Sequence, residues 1–293
     1  MITRVTSTQL LTDSSRTLQA AMARLSTLQT QASTGLRISV PSDDPAGTGA
    51  SIQVRGQQAN NAQYQRNATD GLGWLSVTDS ALTQATSTLQ SFRNLVLQAA
   101  NAGTMSATSR GAIVAQMQGL RDDLLSTANT RYNGRSVFAG TSDADAFSAD
   151  GTWSGTAGAT VERRIADDAT ITVDADGSAA FGSGTTSIFA SLDSIISDVQ
   201  NGTDVQPAIA TLDQGIQSVL TVQAVNGSRY SQMQRAQNAL GTQSDALTAQ
   251  RSSIEDVDTV KALVDLQSQN VAYQAALQVT SKALPMSLLS FLD

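Results

Sequence analysis

The residues of this 293-residue chain that could do chemistry are its clustered carboxylates. Asp43 and Asp44 lie between Pro41 and Pro45, Asp122–Asp123 and Asp167–Asp168 are adjacent pairs, and Asp174 and Asp176 lead into Gly177. A carboxylate pair could serve as acid and base in a hydrolase, and Asp174-x-Asp176-Gly177 is a fragment of a calcium loop. Each reading meets a physical objection. Adjacent helical residues do not face one spot, so Asp122–Asp123 and Asp167–Asp168 read as solvated surface. The calcium loop lacks its glutamate and full spacing, and a hairpin turn at Asp176-Gly177 is the simpler reading. Asp44 is placed to cap free backbone N–H groups, with Pro45 in the first helical position, and no ring of oxygen ligands surrounds Asp43 and Asp44 as a metal would require. Gly47-Thr48-Gly49 has neither the third glycine nor the preceding strand of a phosphate loop.

The chain has no cysteine and no histidine. That removes thiolate nucleophiles, disulfides, the commonest general base and the commonest transition-metal ligand. Met117 reads as core filler, not a cofactor contact. No catalytic, cofactor-binding or metal residue is assigned, and an enzyme is not expected. A net charge of −7 offers no basic field to nucleic acid or anionic lipid. Residues 1–10 lack the apolar core of a Sec-type signal peptide, and no later run reaches the roughly 20 apolar residues of a membrane span. The 4% aromatic and 15% charged content suggests thin helical packing with few large anchors.

The elements follow from periodicity. Leu11, Leu18, Leu25 and Ala32 repeat every seventh residue, with Ala21 and Leu28 in the second seam position. At the other end, a helix over residues 254–284 carries Leu263, Leu266, Asn270, Tyr273, Leu277, Thr280 and Leu284 at alternating three- and four-residue steps. A second stripe of Ile254, Val257, Val264 and Val271 runs beside it, so this helix wants neighbours on two sides. Gly35 suits a left-handed helix close or a plain flexible loop. A long helix is predicted over residues 45–101, with Leu75, Leu82, Leu89 and Val96 at seven-residue spacing and Thr78, Ala85, Phe92 and Ala99 between them. Gly71 and Gly73 predict a kink or a close crossing in it. A turn at 102–106 precedes a third helix with Ile113, Met117, Leu120, Leu124 and Thr127 inward, and Asn133-Gly134 signals a turn. Gly, Ser, Thr and Asp then dominate, with strands predicted near Trp153, over 161–165 and over 170–173. Helical spacing resumes at Ile188 and continues to the end, with Asn226-Gly227 a possible interruption. The fold class is mainly α: a long antiparallel helical rod or coiled coil from paired N- and C-terminal segments, with a small β-rich inserted outer domain. The predicted division is 1–40 and 251–293 as coiled-coil segments, 41–140 and 187–250 as two halves of a helical rod domain, and 141–186 as the insertion. Because the insertion interrupts halves that pair without it, residues 144–184 are expected to be dispensable for the chain's placement in its assembly.

Several collinear stretches carry a family resemblance. They are Ser-Thr-Gly-Leu-Arg-Ile at 33–38, Pro-Ser-Asp-Asp-Pro at 41–45, Gln-Tyr-Gln-Arg-Asn at 63–67, residues 98–101 and 128–130, Phe-Ala-Gly-Thr at 138–141, Glu-Asp-Val-Asp at 255–258 and the ending at 287–292. With these the chain resembles the bacterial flagellin family over residues 1–141 and 187–293, and within it the hook–filament junction branch. Tyr132-Asn133-Gly134 and Pro285 lean towards filament flagellins, and the opening Met-Ile-Thr-Arg-Val departs from the usual Met-Arg-Ile.

The resemblance implies a structural protein of the bacterial flagellum, secreted through the flagellar type III export apparatus. It implies a ring of copies joining hook to filament, with flagellar hook-associated protein 1, flagellin and a flagellar export chaperone as partners. A filament flagellin is the alternative, and periodicity alone would also permit an intracellular coiled-coil scaffold. The expected assembly interface is Leu11, Leu18, Leu25, Leu28, Leu263, Leu266, Tyr273, Leu277, Leu284, Leu288, Leu289 and Phe291. The expected helix-restart corner is Pro41, Asp43, Asp44 and Pro45.

Overall fold

A computed structural model describes the backbone of residues 2–101 and 106–292 and the side chains of residues 9, 12–101 and 106–281. The elements are α1 (Ile2–Thr34), α2 (Pro45–Asn101), α3 (Ala107–Ala128), β1 (Arg131–Tyr132), β2 (Arg135–Ser136), β3 (Glu162–Ala166), β4 (Ala169–Thr172), α4 (Gly177–Phe181), α5 (Ile188–Asn201), α6 (Gln206–Glu255) and α7 (Thr259–Leu292). The chain is mainly α with a small β-containing insertion, and it folds as two compact units: Met1–Ala59 with Ser244–Asp293, and Asn60–Gln243.

In the unit built from the two chain ends, α1 and α7 pack antiparallel. Gln269 on α7 donates to the Ala21 carbonyl on α1 at 3.2 Å. Gly35 takes the left-handed conformation, φ 71°, that closes α1. The helix predicted over 254–284 is in fact two: α6 ends at Glu255, and α7 begins at Thr259. The break has a local cause. Asp258 accepts from the free N–H groups of Val260 and Lys261, which is an N-cap, and so restarts the helix there.

The unit of residues 60–243 holds the larger core. The seven-residue row Leu75, Leu82, Leu89 and Val96 is completely buried, as are Thr78 and Ala85 beside it. Ile113, Met117 and Leu124 of α3, Leu192, Ile195 and Val199 of α5, and Leu212, Ile216 and Val219 of α6 fill the space against them. Here α2 and α6 run antiparallel, marked by Gln65 to the Leu240 carbonyl (3.1 Å), Gln237 to Thr69 (3.1 Å), Asn226 to the Leu75 carbonyl (3.0 Å) and Arg93 to Asp213 (2.6 Å). Gly71 and Gly73 do not interrupt α2. They are close-approach positions instead: a Cβ on Gly71 would strike Met233 of α6, and one on Gly73 would strike the Tyr132 hydroxyl. Asn226-Gly227 likewise leaves α6 unbroken.

The insertion departs from expectation in two ways. Asp176-Gly177 is a helix start, not a hairpin turn: the Asp176 carboxylate caps the N–H groups of Ser178 and Ala179 and so nucleates α4. Nor is the insertion an appendage. Phe147 and Phe181 from within it pack with Phe138 and Phe189 at ring-centroid distances of 5.3 to 6.1 Å, and all four belong to the core shared with α2, α3 and α5. The few aromatic residues are thus concentrated here. The β3–β4 hairpin pairs Glu162 with Thr172 and Arg163 with Ile171, and α2 holds it through Tyr64 to Asp167 (2.6 Å), Asn67 to the Arg164 carbonyl (2.8 Å) and Arg163 to Asp70 (2.7 Å). Phe147 and Trp153 form an isolated bridge where a strand was predicted.

Candidate assembly surface

The corner that turns α1 into α2 is built by two aspartates with separate tasks. Asp43 accepts from the N–H groups of Ser39 (2.9 Å) and Val40 (3.0 Å), which tightens the turn after Val40. Asp44 caps α2 by accepting from Gly47 N–H at 2.8 Å, and Pro45 occupies the first helical position, where a missing N–H costs nothing. These bonds from Val40 and Gly47 to their respective carboxylates, with Arg37 beside Asp44, hold both groups below the ordinary aspartate range. Pro41 lies exposed in the turn. The predicted corner residues are therefore brought together.

The corner extends to residues that periodicity did not single out. Arg37 pairs with Asp44 at 3.0 Å and donates to the Ile254 carbonyl at the end of α6 at 2.7 Å. Two main-chain bonds, Arg37 N–H to the Glu255 carbonyl (2.6 Å) and Val257 N–H to the Gly35 carbonyl (2.9 Å), form an antiparallel bridge between the two chain segments. The buried Glu255 carboxylate accepts a fork of two 2.9 Å bonds from Arg55 and a short bond from Ser51. The Arg55 hydrogen bonds, and then that of Ser51, lower its pKa from the usual glutamate value. Gly35, Arg37, Glu255 and Val257 lie in stretches quoted above, residues 33–38 and 255–258, which is the signal that could have found them, whereas Ser51, Arg55 and Ile254 lie outside every quoted stretch.

Along the helical pair, Leu18, Leu25 and Leu28 on α1 are half-buried, as are Leu266 and Tyr273 on α7. Leu263 and Leu277 are not part of that seam: they are 58% and 41% exposed, at its flanks. The seam is completed by smaller residues, Ala262, Gln269, Asn270, Ala276 and Thr280. Leu266, Asn270, Tyr273 and Thr280 keep the places that the spacing gives them, while Ala262 and Ala276 stand where Leu263 and Leu277 are expected, because a three- or four-residue step is satisfied by either of two adjacent residues. The expected interface residues Leu11, Leu284, Leu288, Leu289 and Phe291 lie outside the described side chains.

On the face of α7 turned about half a helical circumference from α1, Val260, Val264 and Val271 stand 72%, 59% and 59% exposed. Val264 and Val271 belong to the second stripe of the sequence, whose other two members, Ile254 at the end of α6 and Val257 in the break before α7, lie off this helix. Fully burying one such side chain stabilises by about 1.5–3 kcal/mol, so three in a row form a surface suited to a further helix. Two of the carboxylates outside the corner are held by neighbours. Asp167 accepts from Tyr64, and Asp174, whose pKa burial raises, accepts from Val161 N–H at 2.7 Å. Among the described residues no three His, Cys, Asp or Glu side chains gather as a metal would require.

A model of the bacterial flagellin N-terminal helical region matches residues 6–143, and one of the C-terminal helical region matches residues 209–292. Flagellar hook-associated protein 3 of Escherichia coli (strain K12) is 30% identical over 281 residues, covering 86% of this chain and 87% of that protein. Flagellin of Bacillus subtilis (strain 168) is 28% identical over 265 residues, 86% of each chain. The crystal structure of flagellar hook associated protein-3 from Legionella pneumophila superposes with a TM-score of 0.62 over 69% of this chain and 98% of that one, at 15% identity, a likeness of fold alone.

Proposed function

The chain belongs to the bacterial flagellin family, and within it we propose that this protein is the structural subunit of the hook–filament junction. The observation that carries the reading is the match of nearly the whole chain, at 30% identity, to a flagellar hook-associated protein 3. The exposed Val260, Val264 and Val271 fit it, since a subunit surrounded by copies of itself needs an apolar helix face on more than one side. On this reading copies associate laterally in a ring through α1 and α7, with flagellar hook-associated protein 1 on one axial side and flagellin on the other. The chain reaches that place through the type III export apparatus with an export chaperone. Its role is structural, not enzymatic, and the five-segment division given above describes its proposed working parts.

A filament flagellin is the second reading, favoured by Tyr132-Asn133-Gly134 and by the 28% identity to Bacillus subtilis flagellin. The two differ in self-stacking. A filament subunit must present axial surfaces that accept an identical layer without end, whereas a junction subunit meets a different partner on each side. Immunogold labelling of isolated flagella should place the protein in one band between hook and filament, and a null strain should shed flagellin into the medium without building filaments. Labelling along the whole filament, or seeded growth of long filaments from the purified protein alone, would transfer the assignment to flagellin.

A further inference from the structure

Asn-Gly is the dipeptide in which a backbone nitrogen most readily reaches the preceding side-chain carbonyl, because glycine carries no Cβ to obstruct it. The chain has three: Asn133-Gly134, Asn201-Gly202 and Asn226-Gly227. The fold treats them differently. Asn226 is buried inside α6 with its amide donated to the Leu75 carbonyl at 3.0 Å. Asn201 donates to Ser197 at 3.3 Å, and the Gly202 N–H is held by the Asp198 and Val199 carbonyls that close α5. At Asn133-Gly134 both residues are exposed, and neither the Asn133 amide nor the Gly134 N–H has a hydrogen-bond partner among the described residues. Asn133 is also the one described non-glycine residue with positive φ, at 50°. That conformation is the one a two-residue Asn-Gly hairpin turn requires at its first position.

We propose that Asn133-Gly134 is a site of spontaneous self-modification that opens the β1–β2 hairpin as the protein ages. The Gly134 nitrogen, having given its proton to solvent, attacks Cγ of Asn133. The new N–C bond closes a five-membered imide ring, and the side-chain nitrogen takes up a proton and leaves as ammonia. Water then opens the ring at either carbonyl, leaving aspartate or isoaspartate. The flanking cations favour both the deprotonated nitrogen and the new carboxylate. Arg131 donates to the Gly134 carbonyl at 2.8 Å and pairs with Asp145, while Arg135 pairs with Asp143 and donates to the Thr141 carbonyl. The isoaspartate product carries an extra methylene in the main chain. A two-residue turn with φ values of 50° and 82° has no room for it, so the Tyr132–Arg135 and Arg131–Ser136 pairing is lost. That pairing places Tyr132 over Gly73 and 5.6 Å from the Trp74 ring, so the change is felt in the core of its unit.

The test incubates the full-length protein in heavy-oxygen water at mildly alkaline pH, folded and in denaturant, and follows label in the three Asn-Gly peptides by mass spectrometry. Folding should slow Asn201 and Asn226 by about tenfold or more, since an ordinary hydrogen bond or a local unfolding must be broken first, and should slow Asn133 by less than about threefold. Slowing of Asn133 equal to the other two overturns the proposal. The Val137 N–H, bonded to the Thr130 carbonyl at 3.1 Å just past the hairpin, reads the second half. Its hydrogen exchange should quicken in aged protein and stay constant in Asn133→Gly, which keeps the turn but has no amide to lose. Unchanged exchange at Val137 in protein whose Asn133 has converted would overturn the opening of the hairpin.

Discussion

The two units treat the same kinds of side chain in opposite ways. In residues 60–243, Trp74, Phe92, Leu124 and Leu192 are all within 1% of complete burial, and the exposed large apolar side chains are limited to Leu220, Val225 and Tyr230 among the described residues. In the unit made of the chain ends, Met22, Val40, Ile52, Val260, Leu263, Val264, Val271, Leu277 and Val279 are all exposed. The first unit completes its core from its own chain. The second keeps apolar surface uncovered, which fits the association proposed for it above.

The contrast can be broken most severely by deleting residues 144–184. The burial of Ala146, Phe147, Val161, Val173 and Phe181 in the shared core removes the premise that the helical halves pair without them. Deletion with a short linker should abolish cooperative thermal unfolding of the unit followed by circular dichroism. A retained sharp transition would return the insertion to the status of an appendage. Next in size, Phe92→Ala should cost about 3–5 kcal/mol in denaturant unfolding, and Leu25→Ala on the half-buried seam of α1 about 1 kcal/mol or less. Equal costs would erase the distinction between the units. Hydrogen exchange sharpens it without mutation: amides of α1 from residue 12 to 34 should exchange far faster in the monomer than those of α2 near Leu82.

The double change Val264→Asp with Val271→Asp should move monomer stability by no more than about 0.5 kcal/mol for each exposed site, yet abolish incorporation into flagella. Normal incorporation would show that this face is not used. The smallest effect concerns pH. Because hydrogen bonds from Arg55 and Ser51 lower the Glu255 pKa in the folded state, its contribution is full above the unfolded value of about 4.3 and fades as pH falls through the lower folded value. The acid side of the stability profile should therefore be shallower in Glu255→Gln. Superimposable profiles would show that the clasp carries no proton linkage.

The mainly helical class, the buried row of Leu75, Leu82, Leu89 and Val96, the Asp44–Pro45 restart and the apolar residues on two faces of the last helix are legible in the residues alone. Each is a local or periodic property, set by side-chain spacing and by capping geometry within a few residues. It takes the packed chain to show that Gly71 and Gly73 admit Met233 and Tyr132, that Leu263 gives way to Ala262 in the seam, and that Arg37 meets Ile254 and Glu255. Those outcomes depend on partners some sixty to more than two hundred positions away, or on which of two adjacent residues a neighbouring helix selects. Periodicity records that a residue is turned inward, but it does not record what the residue will meet there.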